Sequence, residues 1–270
     1  MTLRVVVITG ASDGIGAEMA RQLAASGGAG VALVLAARNR ARLEEVSGAC
    51  AALGVQTMVV PTDVAVRQQC EDLIAAAVAR FGRIDALVNN AGRSAHALFE
   101  QVEDVGWYEE LMRINLWGAV WCTHAALPYL KASRGSVVAV SSLVGLVGVP
   151  GRTAYAATKF AMTGFFEALR AELKGAGVSV TTAFPGVVAT QTRYRGFDAK
   201  GNAAGVSALK EESAMPVEEC ARLIIDGMDR RRREVVMTLK GKVGRYLKLL
   251  APGLVERMAL AALKDEVKPR

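Results

Sequence analysis

Ser142 and the pair Tyr155 and Lys159 are the residues of this chain whose types and spacing point to proton chemistry. A tyrosine and a lysine four apart fall on one face of a helix, so the ammonium can lie beside the phenol. A tyrosine ordinarily releases its proton near pH ~10. A neighbouring positive charge favours the phenolate and brings proton exchange closer to neutral pH. The Ser142 hydroxyl, thirteen residues upstream, can hold a substrate oxygen against the phenol. A solvated helix also produces such a pair by chance, so the elements around the pair must decide.

A second group handles phosphate. After a first strand comes Thr9-Gly10-Ala11-Ser12-Asp13-Gly14-Ile15-Gly16. Glycines there permit a tight turn and let backbone amides approach a pyrophosphate at the start of the next helix. The spacing departs by one residue from the usual dinucleotide fingerprint, so the strand-turn-helix context carries the reading. The end of the second strand reads Leu35-Ala36-Ala37-Arg38-Asn39-Arg40. An NAD site usually places an acid there for the ribose hydroxyls. Here Arg38 offers a planar fork suited to a 2′-phosphate. NADP(H) is therefore expected, with NAD(H) as the alternative. Asp13 runs against that expectation because it would repel the phosphate, although it also suits the positive end of the following helix.

The elements that must position these residues alternate. Apolar, β-branched runs at Leu3–Thr9, Val31–Ala36, Thr57–Val60, Ala86–Asn89, Ser136–Ser141, Ser179–Phe184 and Glu234–Thr238 read as strands. Helical patterns fall between them, including one long apolar helix over Trp107–Leu130 and others over Thr153–Lys174 and Pro216–Arg230. Continuous apolar strands separated by helices predict an α/β fold, a doubly wound parallel sheet of about seven strands covered on both faces. One domain is expected over residues 1–240, followed by an extension over 241–270. Residues 191–215 break the rhythm, and a loop of that length beyond a strand's carboxyl end is expected to form a substrate lid.

A hydrophobic content of 52% suffices for a core on both faces of a sheet. Cys50, Cys70, Cys122 and Cys220 lack paired spacing and histidine companions, which argues for reduced, buried thiols and against a metal site. The run from Met1 directly into the first strand leaves no room for a removable signal peptide, and no stretch reaches a membrane span, so a cytoplasmic location is expected. From Arg230 onward, twelve Lys/Arg face four acids, a surplus of eight that accounts for the whole net charge of +7. That charge sits in a tail and not on a nucleic-acid motif. Val243, Tyr246, Leu247 and Leu250 share a helical face there, so the tail either rests on a membrane surface or packs on its own or a sister subunit.

These residues resemble the short-chain dehydrogenase/reductase family over Leu3 to about Thr238. The glycine turn, Asp63-Val64, Asn89-Asn90-Ala91-Gly92, Asn115, Ser142, Tyr155 with Lys159, and Pro185-Gly186-Val187-Val188-Ala189-Thr190 follow the family's order and spacing. The resemblance implies a Rossmann-type sheet and roles position by position. Gly10, Ser12, Ile15 and Gly16 line the pyrophosphate and ribose, with Asp13 and Gly14 in the same turn. Asp63 meets the adenine amino group, with Val64 packed beside it. Asn90, Ala91 and Gly92 form the turn under the adenosine ribose. Pro185, Gly186, Val188 and Thr190 belong to the segment that holds the nicotinamide carboxamide. Tyr155 is the general acid/base, Lys159 binds the nicotinamide ribose and lowers the tyrosine pKa, Ser142 polarises the carbonyl, and Asn115 holds a water in a proton relay. His96 and His124 have no role in the family. The lining expected from Leu143, Val144, Val149, Val187, Val188, Ser94 and Phe99 is largely apolar. The stretch Ser141–Leu173 and the overall length resemble reductases of lipophilic carbonyls, such as hydroxysteroid dehydrogenases and ketosphinganine reductases, and the resemblance implies assembly as a homodimer or homotetramer. An NAD-linked alcohol dehydrogenase and a dinucleotide-binding scaffold without turnover are the alternatives.

Overall fold

The first strand explains the architecture. In β1 (Arg4–Thr9), Val5, Val6, Val7 and Ile8 are all fully buried. Successive strand side chains point to opposite faces. Val6 and Ile8 accordingly join one cluster with Met19 and Leu23, while Val5 and Val7 join another with Leu73, Ile74 and Phe166. A strand apolar on both sides needs helices on both sides, and the computed structural model, which describes residues 3–191, 194–205 and 214–267, supplies them. Helices α1 (Gly14–Gly27), α2 (Arg40–Ala51) and α7 (Val217–Asp229) cover one face. Helices α3 (Arg67–Phe81), α5 (Gly118–Ser133) and α6 (Thr153–Leu173) cover the other.

The sheet is parallel throughout, in the order β3-β2-β1-β4-β5-β6-β7. Its other strands are β2 (Val31–Ala37), β3 (Gln56–Pro61), β4 (Ala86–Asn89), β5 (Ser136–Val140), β6 (Ser179–Phe184) and β7 (Glu234–Val236). The Rossmann-type, doubly wound sheet of seven strands agrees with the sequence expectation. The strand order reverses between β1 and β4, and a crevice opens beyond their carboxyl ends, where such folds bind ligands.

Two departures are informative. The long helix expected over Trp107–Leu130 is a helical run in three parts: α4 (Gly106–Met112), a π-turn over Arg113–Trp117, and α5. The Gly118 N–H reaches back five residues to the Arg113 carbonyl. That extra residue lies at fully buried Asn115, and π-bulges of this kind recur at functional sites. The last strand ends at Val236, two residues short of expectation. Thr238 is instead the cap of α8 (Leu239–Leu250), its Oγ1 accepting from the Gly241 N–H at 3.0 Å. A further helix, α9 (Pro252–Val267), follows. Among the described residues, no helix is long and apolar enough to cross a membrane. The four cysteines are buried and free.

Candidate active site

Tyr155 lies in the first turn of α6 and Lys159 one turn later, so both are carried by the helix that packs on β6 and on the short turn Leu143–Gly145 after β5. Lys159 is almost wholly buried, and its Nζ donates to the Val140 carbonyl at 3.0 Å. Burial alone brings this lysine down to about 8. The ammonium stands 5.7 Å from the centre of the Tyr155 ring. Burial raises the Tyr155 phenol, and the Ser142 hydroxyl and the Arg152 charge pull it back down. The groups that lower the phenol are thus Ser142 and Arg152, and not the Lys159 expected from the sequence, and burial outweighs both. Desolvation of a buried phenol is the larger effect here.

The two neighbouring serines separate cleanly. Ser141 turns onto α6, its Oγ donating to the Lys159 carbonyl at 3.3 Å and meeting Thr163 Oγ1. Ser142 caps the short turn after β5, its Oγ accepting from the Val144 N–H at 3.3 Å, and it faces the Tyr155 phenol. Arg152, at the start of α6, donates to Ser94 Oγ at 3.3 Å and lies 3.5 Å from His96 Nδ1. Nothing in the sequence motifs singles it out. Its one signal is its place three residues before Tyr155, on the same side of the coming helix.

Asn115 is held by the π-turn so that its amide bridges two walls. Its Oδ1 accepts from the Arg93 N–H at 2.8 Å, and its Nδ2 donates to the Arg93 carbonyl at 2.9 Å and to Thr158 Oγ1 at 3.0 Å. A side chain at Gly92 would press on Asn115 Oδ1 and approach Lys159 Nζ. The loop after β4, the π-turn and α6 thus converge at Gly92, Asn115 and Lys159.

The glycine turn is equally constrained. Gly10 has φ +66°, and a Cβ on Gly16 would lie 2.4 Å from the Gly10 carbonyl oxygen and 2.5 Å from Asn90 Nδ2. The Thr9 hydroxyl accepts from the Asn90 and Ala91 N–H groups at 3.1 Å each, tying the two turns together. Asp13 caps α1 through the Gly14 N–H. Its other oxygen forms ion pairs with Arg42 at 3.4 Å and with Arg195. Arg93 donates to the Arg195 carbonyl at 2.7 Å, and burial, together with the charge of exposed Arg38, lowers its pKa against Glu110. Four arginines, Arg38, Arg42, Arg93 and Arg195, therefore gather at this turn. The small-residue turn, the open start of α1 and this cationic excess fit a ligand with several phosphates.

The remaining expected residues close the crevice. Ser12 and Ile15 are half-buried in the glycine turn and the start of α1, with Ile15 against the core. Asp63 does not cap α3, whose cap residue is Val66; its Oδ1 accepts from the Ala65 N–H at 3.0 Å. Val64 is buried against Gly118. The Pro185 carbonyl accepts from the Leu143 N–H at 2.9 Å, and Gly186 packs beside Leu143. Val188 pairs with Met215, and Thr190 sits over Gly14. Of residues 191–215, those described include Phe197, which is buried in a cluster with Ala95, Trp107, Leu111 and Ala154, against which Tyr155 also packs. The Arg93 guanidinium lies 3.5 Å from the Phe197 ring centre. His124 lines a surface hollow with Arg67 and Trp117, away from the crevice.

A family model described as short chain dehydrogenase matches residues 4–200. A protein named 11-beta-hydroxysteroid dehydrogenase 1A from Arabidopsis thaliana is 36% identical over 94% of this chain and 73% of its own. A dehydrogenase/reductase SDR family protein 7-like from Dictyostelium discoideum is 31% identical over 98% of this chain and 83% of its own. Among solved structures, an alcohol dehydrogenase from the archaeon Thermococcus sibiricus, complexed with 5-hydroxy-NADP, superposes with a TM-score of 0.75 at 26% identity, over 87% of this chain and 96% of that one.

Proposed function

The chain belongs to the short-chain dehydrogenase/reductase family, an oxidoreductase acting on CH–OH groups with hydroxysteroid dehydrogenase-like relatives, and from this we propose that it is an NADP(H)-linked carbonyl reductase that also runs in reverse as an alcohol dehydrogenase. The observation that carries the reaction is the meeting of Ser142, Tyr155 and Lys159 at the mouth of the crevice. The observation that carries the cofactor choice is the arginine cluster, with no acid at the end of β2. The alcohol dehydrogenase from Thermococcus sibiricus, solved with an NADP derivative, supports the same preference.

The family's nicotinamide cofactor, when bound, supplies or accepts the hydride. Gly10, Ser12, Gly14, Ile15, Gly16, Asn90, Ala91, Gly92, Asp63 and Val64 would hold its adenosine and pyrophosphate side, with Arg38 and Arg42 at the 2′-phosphate. Pro185, Gly186, Val188 and Thr190 would hold the nicotinamide side. The chain's own chemistry is proton movement at the substrate oxygen. Tyr155 gives its proton to the oxygen as a carbonyl is reduced and takes it back as an alcohol is oxidised. Ser142 donates a hydrogen bond to the same oxygen, where negative charge builds. Lys159 keeps a positive charge in a buried wall at neutral pH, which favours the phenolate each time the proton leaves. Asn115 fixes the loop and helix that place Lys159, and it belongs to the path by which protons return from solvent.

The substrate proposed is a lipophilic ketone or secondary alcohol. Support comes from the half-exposed Leu143, Val144, Val149 and Val187 near Ser142, and from the names of the hydroxysteroid dehydrogenase relatives. The described part of residues 191–215 serves as a lid, anchored by Phe197. A homo-oligomer in the cytoplasm, with a peripheral membrane contact through the basic tail, completes the proposal. The direct test is NADPH oxidation over steroid, long-chain keto and small aromatic ketones beside NADH. Turnover of at least one lipophilic ketone with NADPH favoured is expected, and no turnover of any would overturn the reading.

A further inference from the structure

Ser94–Ala97 runs as a short strip between the lid and the start of α6. On one edge, the Phe197 N–H donates to the Ser94 carbonyl and the His96 N–H to the Phe197 carbonyl, both at 2.9 Å. On the other, the Ala97 N–H donates to the Gly151 carbonyl at 2.8 Å, and Ala97 bridges Arg152. Side chains along an extended strip alternate in direction. Ala95 and Ala97 are buried, whereas Ser94 and His96 are half-buried and meet the Arg152 guanidinium. Arg152 Nη1 donates to Ser94 Oγ at 3.3 Å, and Nη2 lies 3.5 Å from His96 Nδ1. The strip follows directly on the cofactor turn Asn90–Gly92, and Arg152 stands three residues before Tyr155. This polar patch thus borders the lid on one side and the catalytic tyrosine on the other.

Its charge is fixed. An arginine stays protonated at any working pH. Burial and the Arg152 charge lower His96 below its ordinary value, so the imidazole is neutral at pH 7 and the patch carries one positive charge. That charge reaches the reacting groups, because it pulls the Tyr155 phenol down. The surroundings are apolar, with Ala95, Trp107, Ala154 and Phe197 in one cluster and half-buried Val149 one turn from Arg152. A neutral substrate seated against this guanidinium would take water from a charge and offer nothing in return. A carboxylate answers the charge with two coplanar oxygens, the acceptor that a guanidinium fork matches. A phosphate group, with about two negative charges, would be only half balanced by one arginine.

We propose that Arg152, seated by Ser94 and His96, binds a carboxylate of the substrate, so that the substrates are ketones and secondary alcohols with an apolar body and one carboxylate. This rests on the reductase reading above and names the substrate class of that same site.

The test uses long-chain and aromatic keto acids with different spacings between carbonyl and carboxylate, each beside its methyl ester, with the full chain and NADPH. For at least one spacing the acid should be preferred over its ester by about 10–100-fold in kcat/KM. Arg152→Met should abolish that preference, and Arg152→Lys should keep part of it. A change in the Tyr155 phenol alone would slow acid and ester alike and leave their ratio untouched. Esters turned over as well as acids at every spacing in the wild type, or a preference for the acid that survives Arg152→Met, would overturn the proposal. Titration calorimetry of the same pairs onto the full chain with NADP⁺ reads the carboxylate contact without turnover. Acids bound more tightly than esters only while Arg152 is present, in a chain that reduces neither, would strike the reductase reading and leave the subsite standing. Acid and ester bound equally would remove the subsite and leave the reductase reading to its own test.

Discussion

Asp13 of the glycine turn is ion-paired to Arg195 of the segment that overhangs the crevice. The same carboxylate holds Arg42 at 3.4 Å and caps α1. In the sequence Asp13 opposes a phosphate; in the fold it is offset by two arginines and gathers them where a phosphate would sit. Asp13→Asn keeps a good cap and loses the two ion pairs. Partly exposed pairs are worth about 0–1 kcal/mol each. The ratio of kcat/KM for NADPH over NADH should therefore rise by roughly two- to fivefold, measured by initial rates with each cofactor.

Arg38 stands exposed at the end of β2, where no acid competes for the ribose. A charge-assisted hydrogen bond is worth about 1.5–3 kcal/mol. Arg38→Asp should lower the NADPH-over-NADH ratio by one to two orders of magnitude. An unchanged ratio would remove Arg38 as the phosphate reader.

Lys159 is charged and buried, with hydrogen bonds to the Val140 carbonyl and, longer, to Met162 Sδ. Its folded pKa, about 8, lies below its ordinary 10.5, so the folded chain holds this proton less tightly than the unfolded one. The cost to stability is full below pH 8 and is relieved as pH rises from about 8 towards 10.5. Lys159→Met should therefore lose turnover yet melt no lower, and even higher, than wild type at pH 7. The difference in Tm should shrink as pH rises from 7 to 9, which differential scanning calorimetry at both pH values would measure.

Arg152 lowers the Tyr155 phenol against the opposing effect of burial. Arg152→Met should shift the basic limb of activity, the pH above which alcohol oxidation reaches its plateau, to higher pH. A pH–rate profile of kcat/KM in the oxidation direction reads this directly. An unmoved profile would confine Arg152 to anchoring Ser94 and His96.

The sheet was legible because β1, β2, β4 and β5 are apolar on both faces, which leaves little choice but a covered parallel sheet. Ser142 was distinguishable from Ser141 by the thirteen-residue spacing to the tyrosine that the family resemblance implies, and the structure turns the two serines to different partners. What escaped the sequence depends on long-range contact. Arg42 and Arg195 meet only through Asp13, and the π-turn at Asn115 comes from an amide tied to Arg93 and Thr158 across the crevice. The apolar stripe of Val243, Tyr246, Leu247 and Leu250 was visible as a periodicity, but the structure turns Val243, Tyr246 and Leu250 outward because Arg245 and Lys248 are held by Glu234, Leu146 and Phe160.

The central claim is that Tyr155 carries the proton. Tyr155→Phe should bind NADPH with the wild-type Kd by fluorescence titration and lose about 10²–10⁴-fold in kcat with the best ketone. Turnover within a fewfold of wild type in that variant would contradict the account.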